Sequence, residues 1–490
     1  MKRLTLILLF GILILGFVLR LYKFNNPIAD WHSWRQADTS AVSRNFVEQG
    51  FDILHPRFDD LSNVPSGINN PEGYRFVEFP VYNIFQAGFF KLFGYFTLEQ
   101  WGRLISVFSS LSGAVFIFLI LRRHYSETAG LIGAFFFSVL PFSVYWGRTI
   151  LPDMSMTASI LGGIYFFDLW TSGNSKLKSQ NSKIQLKSKN FAYFILSIFF
   201  TSLSLLLKPF AIFFALPIVY LAFDRFGRKA ILNPYLWIFA VFSVLPLTLW
   251  RIWMMQFPEG IPANSWLFNE GNIRFKGAYF YWVFGERIGK LILGYWGVSL
   301  LALGIISKIK KDGWFLYSFI LSSLLYLVII ARGNVQHDYY QVLIIPTLAI
   351  FLGLGGDFLI NFVKTYTNKY VGPVVFIVIT FFTLSLSWYH IRDYFNINNH
   401  SIVVAGEAVD ALLPKDAKVI AIQGGDTSFL YQTKRKGWAS FQNDIEEMIV
   451  LGADYLIFAN PTPADLEFSE KYEIVDQAPE YIIYDLNKSL

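Results

Sequence analysis

A series of long apolar runs constrains the fold of this chain more than any other feature of its sequence. Two examples, Phe191–Leu207 and Phe376–Trp388, contain no charged residue. Such runs need a bilayer as their solvent, because soluble domains of this chain length must cover themselves with polar residues. Charged residues make up 16% of the 490-residue chain, against about 25% in soluble domains. A soluble enzyme is therefore excluded, and the sequence predicts an α-helical polytopic membrane protein.

The charges are distributed unevenly between two parts of the chain. Residues 391–490 contain 16 acidic and 8 basic residues, a net charge of −8, whereas residues 1–390 contain 33 basic and 19 acidic residues, a net charge of +14. The basic part coincides with the apolar runs, so we attribute its charge to membrane topology and expect no nucleic-acid partner. The absence of cysteine excludes disulfides and thiol chemistry.

About eleven of the apolar runs have the length of a membrane-spanning helix. Their approximate bounds are 4–21, 102–121, 127–146, 154–170, 191–207, 209–223, 235–252, 288–307, 314–331, 340–359 and 371–390. Short basic loops, such as 171–190 and 308–311, fall between them with one consistent parity, which predicts that these loops are cytoplasmic. The first run lacks a small-residue cleavage site after it, so an uncleaved helix is favoured over a signal peptide.

This topology predicts two domains. Residues 1–390 form the membrane domain, with a long first outer loop at 22–101, and residues 391–490 form a domain outside the membrane. Within the first loop, the apolar stretch 79–96 contains Pro80 and Lys91, so we expect it to be an interfacial helix. The last hundred residues predict a small α/β domain. Its expected helices are 402–413 and 444–451, and its expected strands are 418–422, 454–458, 472–475 and 481–484.

Ionisable residues near the ends of the predicted helices gather on the outer side. They include Asp38, Glu78, Arg148, Asp153, Lys208, Arg332 and His337. Ionisable groups at membrane depth are costly unless they have partners or water. A collection confined to one side therefore predicts a single site at the outer interface.

Each of these residues also has a purely structural interpretation. Asp38 precedes a helical pattern and is either the cap of that helix or a functional carboxylate. Lys208 either binds a phosphate or extends toward lipid headgroups. Glu78 and His337 either share a divalent cation, form an ordinary hydrogen-bonded pair, or do not meet.

Taken in order along the chain, these segments resemble the GT-C membrane glycosyltransferases. The closest likeness is to the branch that contains the protein O-mannosyltransferases, related to dolichyl-phosphate-mannose-protein mannosyltransferases, and the bacterial aminoarabinose lipid A transferases. The segments that resemble the motifs of this branch are Asp38–Phe46, Glu78–Tyr82, Arg148–Met154, Lys208–Pro209 and His337–Pro346. The resemblance covers the whole membrane domain.

The resemblance implies transfer of a sugar from a polyprenyl-phosphate donor, with inversion, on the outer face of the cell membrane of a bacterium. The acceptor would be a lipid, a glycan or a protein, and membrane lipids would surround the enzyme. The expected site residues are Asp38 and Asp153 for catalysis, Lys208, Arg148 and Arg332 for the donor phosphate, and Glu78 and His337 for a divalent metal ion.

Two other functions would use some of the same features. A flippase for lipid-linked glycans would also have an amphipathic cavity, but it needs polar residues through the whole bilayer depth. A non-catalytic envelope scaffold would present the acidic C-terminal domain to other proteins. Loss of residues 391–490 would remove all function from a scaffold.

Overall fold

The computed structural model of the protein describes residues 3–175, 188–307, 314–366 and 368–489. The predicted cytoplasmic loop 308–311 and most of the loop 171–190 lie outside the described residues. The helices that precede residue 392 are, in chain order, α1 (Arg3–Arg20), α2 (Ser33–Gln49), α3 (Val81–Phe93), α4 (Leu98–His124), α5 (Glu127–Val139), α6 (Pro141–Trp146), α7 (Asp153–Ser175), α8 (Ser188–Leu207), α9 (Ala215–Phe226), α10 (Pro234–Met254), α11 (Trp266–Asn269), α12 (Gly277–Phe280), α13 (Gly297–Ile306), α14 (Trp314–Ile329), α15 (Ala331–Gln336), α16 (Ile345–Asp357) and α17 (Val371–Ile391).

Short helices of other types join several of these elements. The 3-10 helices Pro209–Phe214 and Asp338–Ile344 run directly into α9 and α16, and a π-helix, Tyr281–Ile292, follows α12. Nearly all of the predicted apolar runs therefore coincide with helical chain. In the described residues, seven helices are long and apolar enough to cross a membrane, or eight if one bent pair counts as a single span.

The predicted helix at 288–307 is bent in the structure. The π-helical segment that ends at Ile292 and α13 meet at an angle of 109°. Gly294 and Tyr295 between them have φ values of 49° and 59°, in the left-handed region that a right-handed helix cannot accommodate. A side chain at position 294 would also lie 2.4 Å from the Thr383 carbonyl oxygen, so glycine permits the close approach of this bend to α17.

The outer surface of the helical part is apolar. Large hydrophobic side chains such as Phe10 in α1, Trp237 in α10 and Phe381 in α17 are exposed. One large core lies inside these helices and extends into α2 and α3 of the first outer loop. Exposed apolar side chains on this scale are the expected surface of a protein that contacts lipid, and they agree with a multi-pass membrane protein.

The C-terminal part folds as a small α/β domain. It contains α18 (Ser401–Leu412), α19 (Ser428–Thr433) and α20 (Ile445–Val450), together with β1 (Lys418–Ala421), β2 (Lys436–Trp438), β3 (Tyr455–Ala459), β4 (Tyr472–Ala478) and β5 (Tyr481–Ser489). The strand order is β2-β1-β3-β5-β4. β1 pairs in parallel with β2 and β3, and β5 pairs in the antiparallel sense with β3 and β4. The predicted α/β character is confirmed, although the sequence pattern did not reveal α19 or β2.

The first outer loop extends the edge of this sheet beside β2. The Leu61 amide donates to the Gly437 carbonyl at 2.7 Å, and the Gly437 amide donates to the Asp59 carbonyl at 3.0 Å. Main-chain pairing of this kind satisfies an edge that would otherwise be open. The C-terminal domain is therefore bonded directly to the loop that carries Asp38 and Glu78.

Candidate active site

Lys208 and Asp153 form a buried ion pair where two membrane helices end. Pro209 disfavours helical geometry at the residue before it, and Lys208 is extended, with φ −164° and ψ 124°. The Lys208 Nζ donates to Asp153 Oδ1 at 2.8 Å and to Oδ2 at 2.9 Å, and Asp153 is the first residue of α7. The Lys208 side chain is thus bound by Asp153 and does not reach toward lipid headgroups.

Asp38 does not cap a helix, contrary to one of its two interpretations. It lies in the second turn of α2, which begins at Ser33. Its side chain is 2% exposed. Arg75 Nη2 donates to Asp38 Oδ2 at 2.5 Å, and the Thr427 hydroxyl donates to Asp38 Oδ1 at 2.7 Å. The carboxylate therefore has one partner from the first outer loop and one from the C-terminal domain.

Arg35 connects the carboxylates of Glu78 and Asp38. Its Nη2 lies 2.7 Å from both oxygens of Glu78, and its Nη1 lies 4.0 Å from Asp38 Oδ2. Burial alone would raise the pKa of Glu78, but the Arg35 guanidinium outweighs this effect and holds the pKa below its ordinary value. Glu78 is thus ionised and fully engaged with Arg35.

A cavity of about 330 Å³ adjoins these residues. The ionisable side chains on its wall, apart from two tyrosines, are Arg35, Arg75, Lys208, Arg251 and Glu78, and its aromatic walls come from Trp34, Phe76, Phe210, Trp266, Phe268, Tyr339 and Tyr340. Four cations face one acid, so the cavity favours an anionic ligand. The buried Arg75 Nε has no hydrogen-bond partner within the described residues, which leaves a donor for such a ligand.

A smaller cavity of about 20 Å³ contains Asp38 in its wall. It shares Arg35, Arg75 and Glu78 with the larger cavity, so these three side chains separate the two spaces. Its volume accommodates about one group of the size of a water molecule. A hydroxyl group that entered this space would lie beside the Asp38 carboxylate. Arg35 and Arg75 would lie between it and the larger cavity.

The predicted metal ligands Glu78 and His337 have other partners in the structure. Both Glu78 oxygens contact Arg35, whose positive charge opposes a second cation there. His337 stacks against Tyr339 and Tyr340, with ring centroids at 5.5 and 6.2 Å. Across the described ranges of the chain, no group of three or more His, Asp or Glu side chains is arranged to hold a metal ion. This geometry gives no support to the divalent ion, which stays a prediction.

Arg148 and Arg332 do not line the larger cavity. Arg148 is buried, donates to Asp30 Oδ2 at 3.0 Å and donates to the carbonyls of Tyr22 and Lys23 at 2.8 and 2.7 Å. These bonds use its guanidinium to hold the start of the first outer loop. Arg332 is partly exposed, with its Nε 3.9 Å from Glu270 Oε2. Their predicted contact with a donor phosphate has no support in this geometry.

Sequence reasoning missed Arg35, Arg75, Arg251 and Thr427. A signal existed for Arg35, because it precedes Asp38 by three residues and so shares its face of a helix. Arg75 lies in an irregular loop, Arg251 in the last turn of α10, and Thr427 in a turn of the C-terminal domain. No local pattern connects these three residues with Asp38, since only the tertiary fold brings them together.

Residues 77–253 match the family model described as dolichyl-phosphate-mannose-protein mannosyltransferase. No curated protein sequence matches the chain. Solved structures share its fold at low sequence identity. ArnT from Cupriavidus metallidurans, solved with undecaprenyl phosphate, is 14% identical with a TM-score of 0.65, and the match covers 98% of this chain and 97% of ArnT.

The archaeal oligosaccharyltransferase AglB from Archaeoglobus fulgidus, solved with an inhibitory peptide and a dolichol-phosphate, is also similar. It is 11% identical with a TM-score of 0.59, and the match covers 98% of this chain and 74% of AglB. The fold is thus shared over nearly the whole chain, and the family match includes Glu78, Asp153 and Lys208. The chain thus shares the fold of ArnT and AglB, and its residues 77–253 are similar to the dolichyl-phosphate-mannose-protein mannosyltransferase family.

Proposed function

We propose that the protein transfers a sugar from a polyprenyl-phosphate donor to an acceptor hydroxyl, with inversion at the anomeric carbon. One observation carries this proposal: four cationic side chains converge on a cavity that is separated from the buried Asp38 only by Arg35, Arg75 and Glu78. Glycosyl transfer from a phosphate needs positive charge at the leaving group and a base at the acceptor. The two cavities offer both.

Asp38 is the base in this mechanism. The acceptor oxygen forms a bond to the anomeric carbon while its proton passes to the Asp38 carboxylate. The bond from that carbon to the phosphate oxygen breaks, and its electron pair leaves with the polyprenyl phosphate. A positioned base of this kind contributes about 10²- to 10⁴-fold to the rate. Protonated Asp38 then releases the proton to water when the product departs.

The cations of the larger cavity stabilise the departing phosphate. Arg35 and Arg75 lie nearest to Asp38, and Lys208 and Arg251 complete the wall. Guanidinium groups match phosphate oxygens through paired donors, and an ammonium adds a compact charge. Asp153 keeps Lys208 in place through both carboxylate oxygens. The protein's own side chains supply the charge, so no step is assigned to a metal ion.

A membrane-facing groove of about 600 Å³ supports a lipid-linked substrate. It lies between α3, α4, α7 and α8 and is lined mainly by apolar side chains such as Phe85, Trp101 and Phe116. Tyr82 lines both this groove and the small cavity beside Asp38. A prenyl chain requires an apolar surface of this kind, because each buried methylene contributes about 0.8 kcal/mol.

The basic residues at one end of α4 support an orientation of the protein in the membrane. Near the first end of α4, the Tyr82 hydroxyl donates to the Gly102 carbonyl at 2.5 Å, beside the small cavity. Its last turn contains Arg122, Arg123 and His124. Basic helix ends are favoured on the cytoplasmic side. The site and the C-terminal domain are accordingly assigned to the extracytoplasmic face of the cell membrane.

The proposal is tested by incubating the purified full-length protein with a panel of labelled polyprenyl-phosphate pentoses and hexoses. Lipid, glycan and peptide acceptors are added separately, and released polyprenyl phosphate and labelled product are measured. We expect release with at least one donor–acceptor pair, at a rate that EDTA does not change. Failure of the whole panel contradicts sugar transfer, whereas loss of activity in EDTA contradicts the assignment of phosphate stabilisation to the cationic side chains.

A further inference from the structure

The helix α19 of the C-terminal domain is fixed against the membrane part of the protein. The Tyr431 hydroxyl donates to Glu99 Oε1 at 2.5 Å, Arg44 Nη1 donates to the Tyr431 carbonyl at 3.0 Å, and Gln432 Nε2 donates to the Ile28 carbonyl at 2.9 Å. The Arg44 guanidinium also lies 4.4 Å from the centre of the Tyr431 ring. Contacts from three parts of the first 100 residues thus hold α19 in one place.

Thr427, the residue directly before α19, does not cap that helix with its side chain. A threonine at this position ordinarily accepts a hydrogen bond from an amide of the first turn, worth about 1 kcal/mol. Thr427 makes no such bond. Its hydroxyl, in a side chain that is 9% exposed, donates to Asp38 Oδ1 at 2.7 Å and lies 3.2 Å from the Trp34 carbonyl oxygen. The hydroxyl therefore serves Asp38 instead of its own helix.

We propose that Thr427 is a positioning residue for Asp38, so that the C-terminal domain completes the active site of the membrane domain. This inference rests on the proposed function, in which Asp38 is the base. Arg75 holds one oxygen of the carboxylate and Thr427 holds the other, which fixes the plane of the group. The oxygen bonded by Thr427 keeps a second lone pair, and that lone pair receives the proton of the acceptor hydroxyl.

The charged surroundings give this hydrogen bond an electrostatic role. Arg35 and Arg75, from α2 and from the first outer loop, bring positive charge to within 4.0 and 2.5 Å of Asp38 Oδ2. Asp60 and Asp426 act on Asp38 with the opposite sign, the first from the same loop and the second from the C-terminal domain. A hydroxyl that donates to an ionised carboxylate stabilises the ionised form. Thr427 accordingly adds a hydroxyl donor to the two cations that contact Asp38.

The test compares Thr427→Val, which keeps the shape but removes the hydroxyl, with Thr427→Ser, which keeps the hydroxyl. With the full-length protein and the labelled donor, we expect Thr427→Val to lower kcat about tenfold or more, since a hydrogen bond to a charged group is lost. The KM for the donor should stay at its wild-type value, and the acidic limb of the kcat profile should move to higher pH. Thr427→Ser should restore both kcat and the limb.

Thr433→Val provides the matched control. Thr433 is buried in the same helix and its hydroxyl donates to the Leu430 carbonyl, remote from Asp38. Its replacement should change neither kcat nor the pH limb. Thr427→Ala is the second test variant in case valine prevents folding, because alanine removes the hydroxyl without placing a second methyl group beside the carboxylate.

The outcomes separate this inference from the proposed function. Wild-type transfer together with unchanged kcat and pH profile in Thr427→Val or Thr427→Ala overturns the positioning role alone. An equal loss in Thr427→Ser and Thr427→Val also overturns it, since the hydroxyl would then not be the group that matters. If the wild-type protein transfers no sugar from any donor, the proposed function fails and the positioning role fails with it.

Discussion

Asp38 and Asp168 are both buried carboxylates held by basic side chains, yet their surroundings differ. Asp168 Oδ2 accepts from His124 Nε2 at 2.8 Å and from Arg123, and Arg225 Nη2 lies 3.6 Å from its Oδ1. Each carboxylate side chain is 2% exposed. Asp38 forms part of a cavity wall, whereas Asp168 is enclosed by α4, α7 and α9 at a distance of about 22 Å along α7 from Asp153.

This difference shows that burial and charge pairing do not by themselves identify a catalytic carboxylate. Asp168 ties three membrane helices together, and its partners satisfy it from within the protein. Asp38 has similar partners, but it lines the smaller cavity, which has room for one small group. The larger cavity, with its four cationic side chains, adjoins the smaller one. Access for a substrate, and not the strength of the ion pairs, separates the site from the structural cluster.

An active Asp38→Asn variant would be the clearest evidence against a functional difference between Asp38 and Asp168. We expect this variant to lower sugar transfer by about 10²- to 10⁴-fold, because an amide cannot accept the proton of the acceptor. Expression and donor binding should remain, since asparagine has the same shape and still accepts from Arg75. Transfer rates and donor affinity of the purified variant are the measurements. A turnover close to that of the wild-type protein would refute the role of Asp38 as base.

Asp168→Asn should show the opposite pattern. We expect the free energy of unfolding to fall by about 1–3 kcal/mol, because partly exposed cations lose their common anion. Turnover per folded molecule should not change, since Asp168 lies far from both cavities. Thermal unfolding and the rate normalised to folded protein test this prediction. A large loss of turnover without a loss of stability would show that the two carboxylates are not functionally distinct.

Asp60 is a third buried carboxylate, and it sharpens the comparison near the site. It accepts from the Ser62 amide and hydroxyl at 3.0 and 2.9 Å. Burial raises the pKa of Asp60 to about 6, with Asp38 adding to the rise and Arg75 opposing it. A folded-state pKa above the unfolded value means that this group costs stability as the pH rises from about 4 to 6.

Asp60→Asn should therefore be more stable than the wild-type protein at pH 7.5, by about 3 kcal/mol, and about equally stable at pH 4. Unfolding midpoints of both proteins at the two pH values measure this difference. A stability difference that does not vary with pH would show that folding leaves the pKa of Asp60 unchanged.

The helical architecture was predictable because apolar runs of spanning length have few alternative structures. The α/β character of the C-terminal domain was predictable from its alternating strands for the same kind of reason. The bend near Gly294 was not, because it depends on contact with α17. Seven helices, or eight with the bent pair counted once, have spanning length and apolarity in the described residues, so the number eleven stays a prediction.

The sequence predicted the acidic residues of the site better than its basic residues. Asp38, Glu78, Asp153 and Lys208 all lie at the two cavities or in direct contact with their walls, as the one-sided charges indicated. Arg75 and Thr427 were not foreseen, because a loop and a short turn carry no periodic signal. The roles of the residues remain predictions until the variants are measured.

The bond between Thr427 and Asp38 also orders events during synthesis of the protein. The two residues are 389 positions apart. At a translation rate of about 5–20 residues per second, Asp38 leaves the ribosome about 20–80 s before its partner. Throughout that interval the helices enter the membrane with the carboxylate bound on one side only. The Asp38 carboxylate thus lacks its C-terminal partner until α19 docks, and that docking sets the moment at which the arrangement around Asp38 is complete.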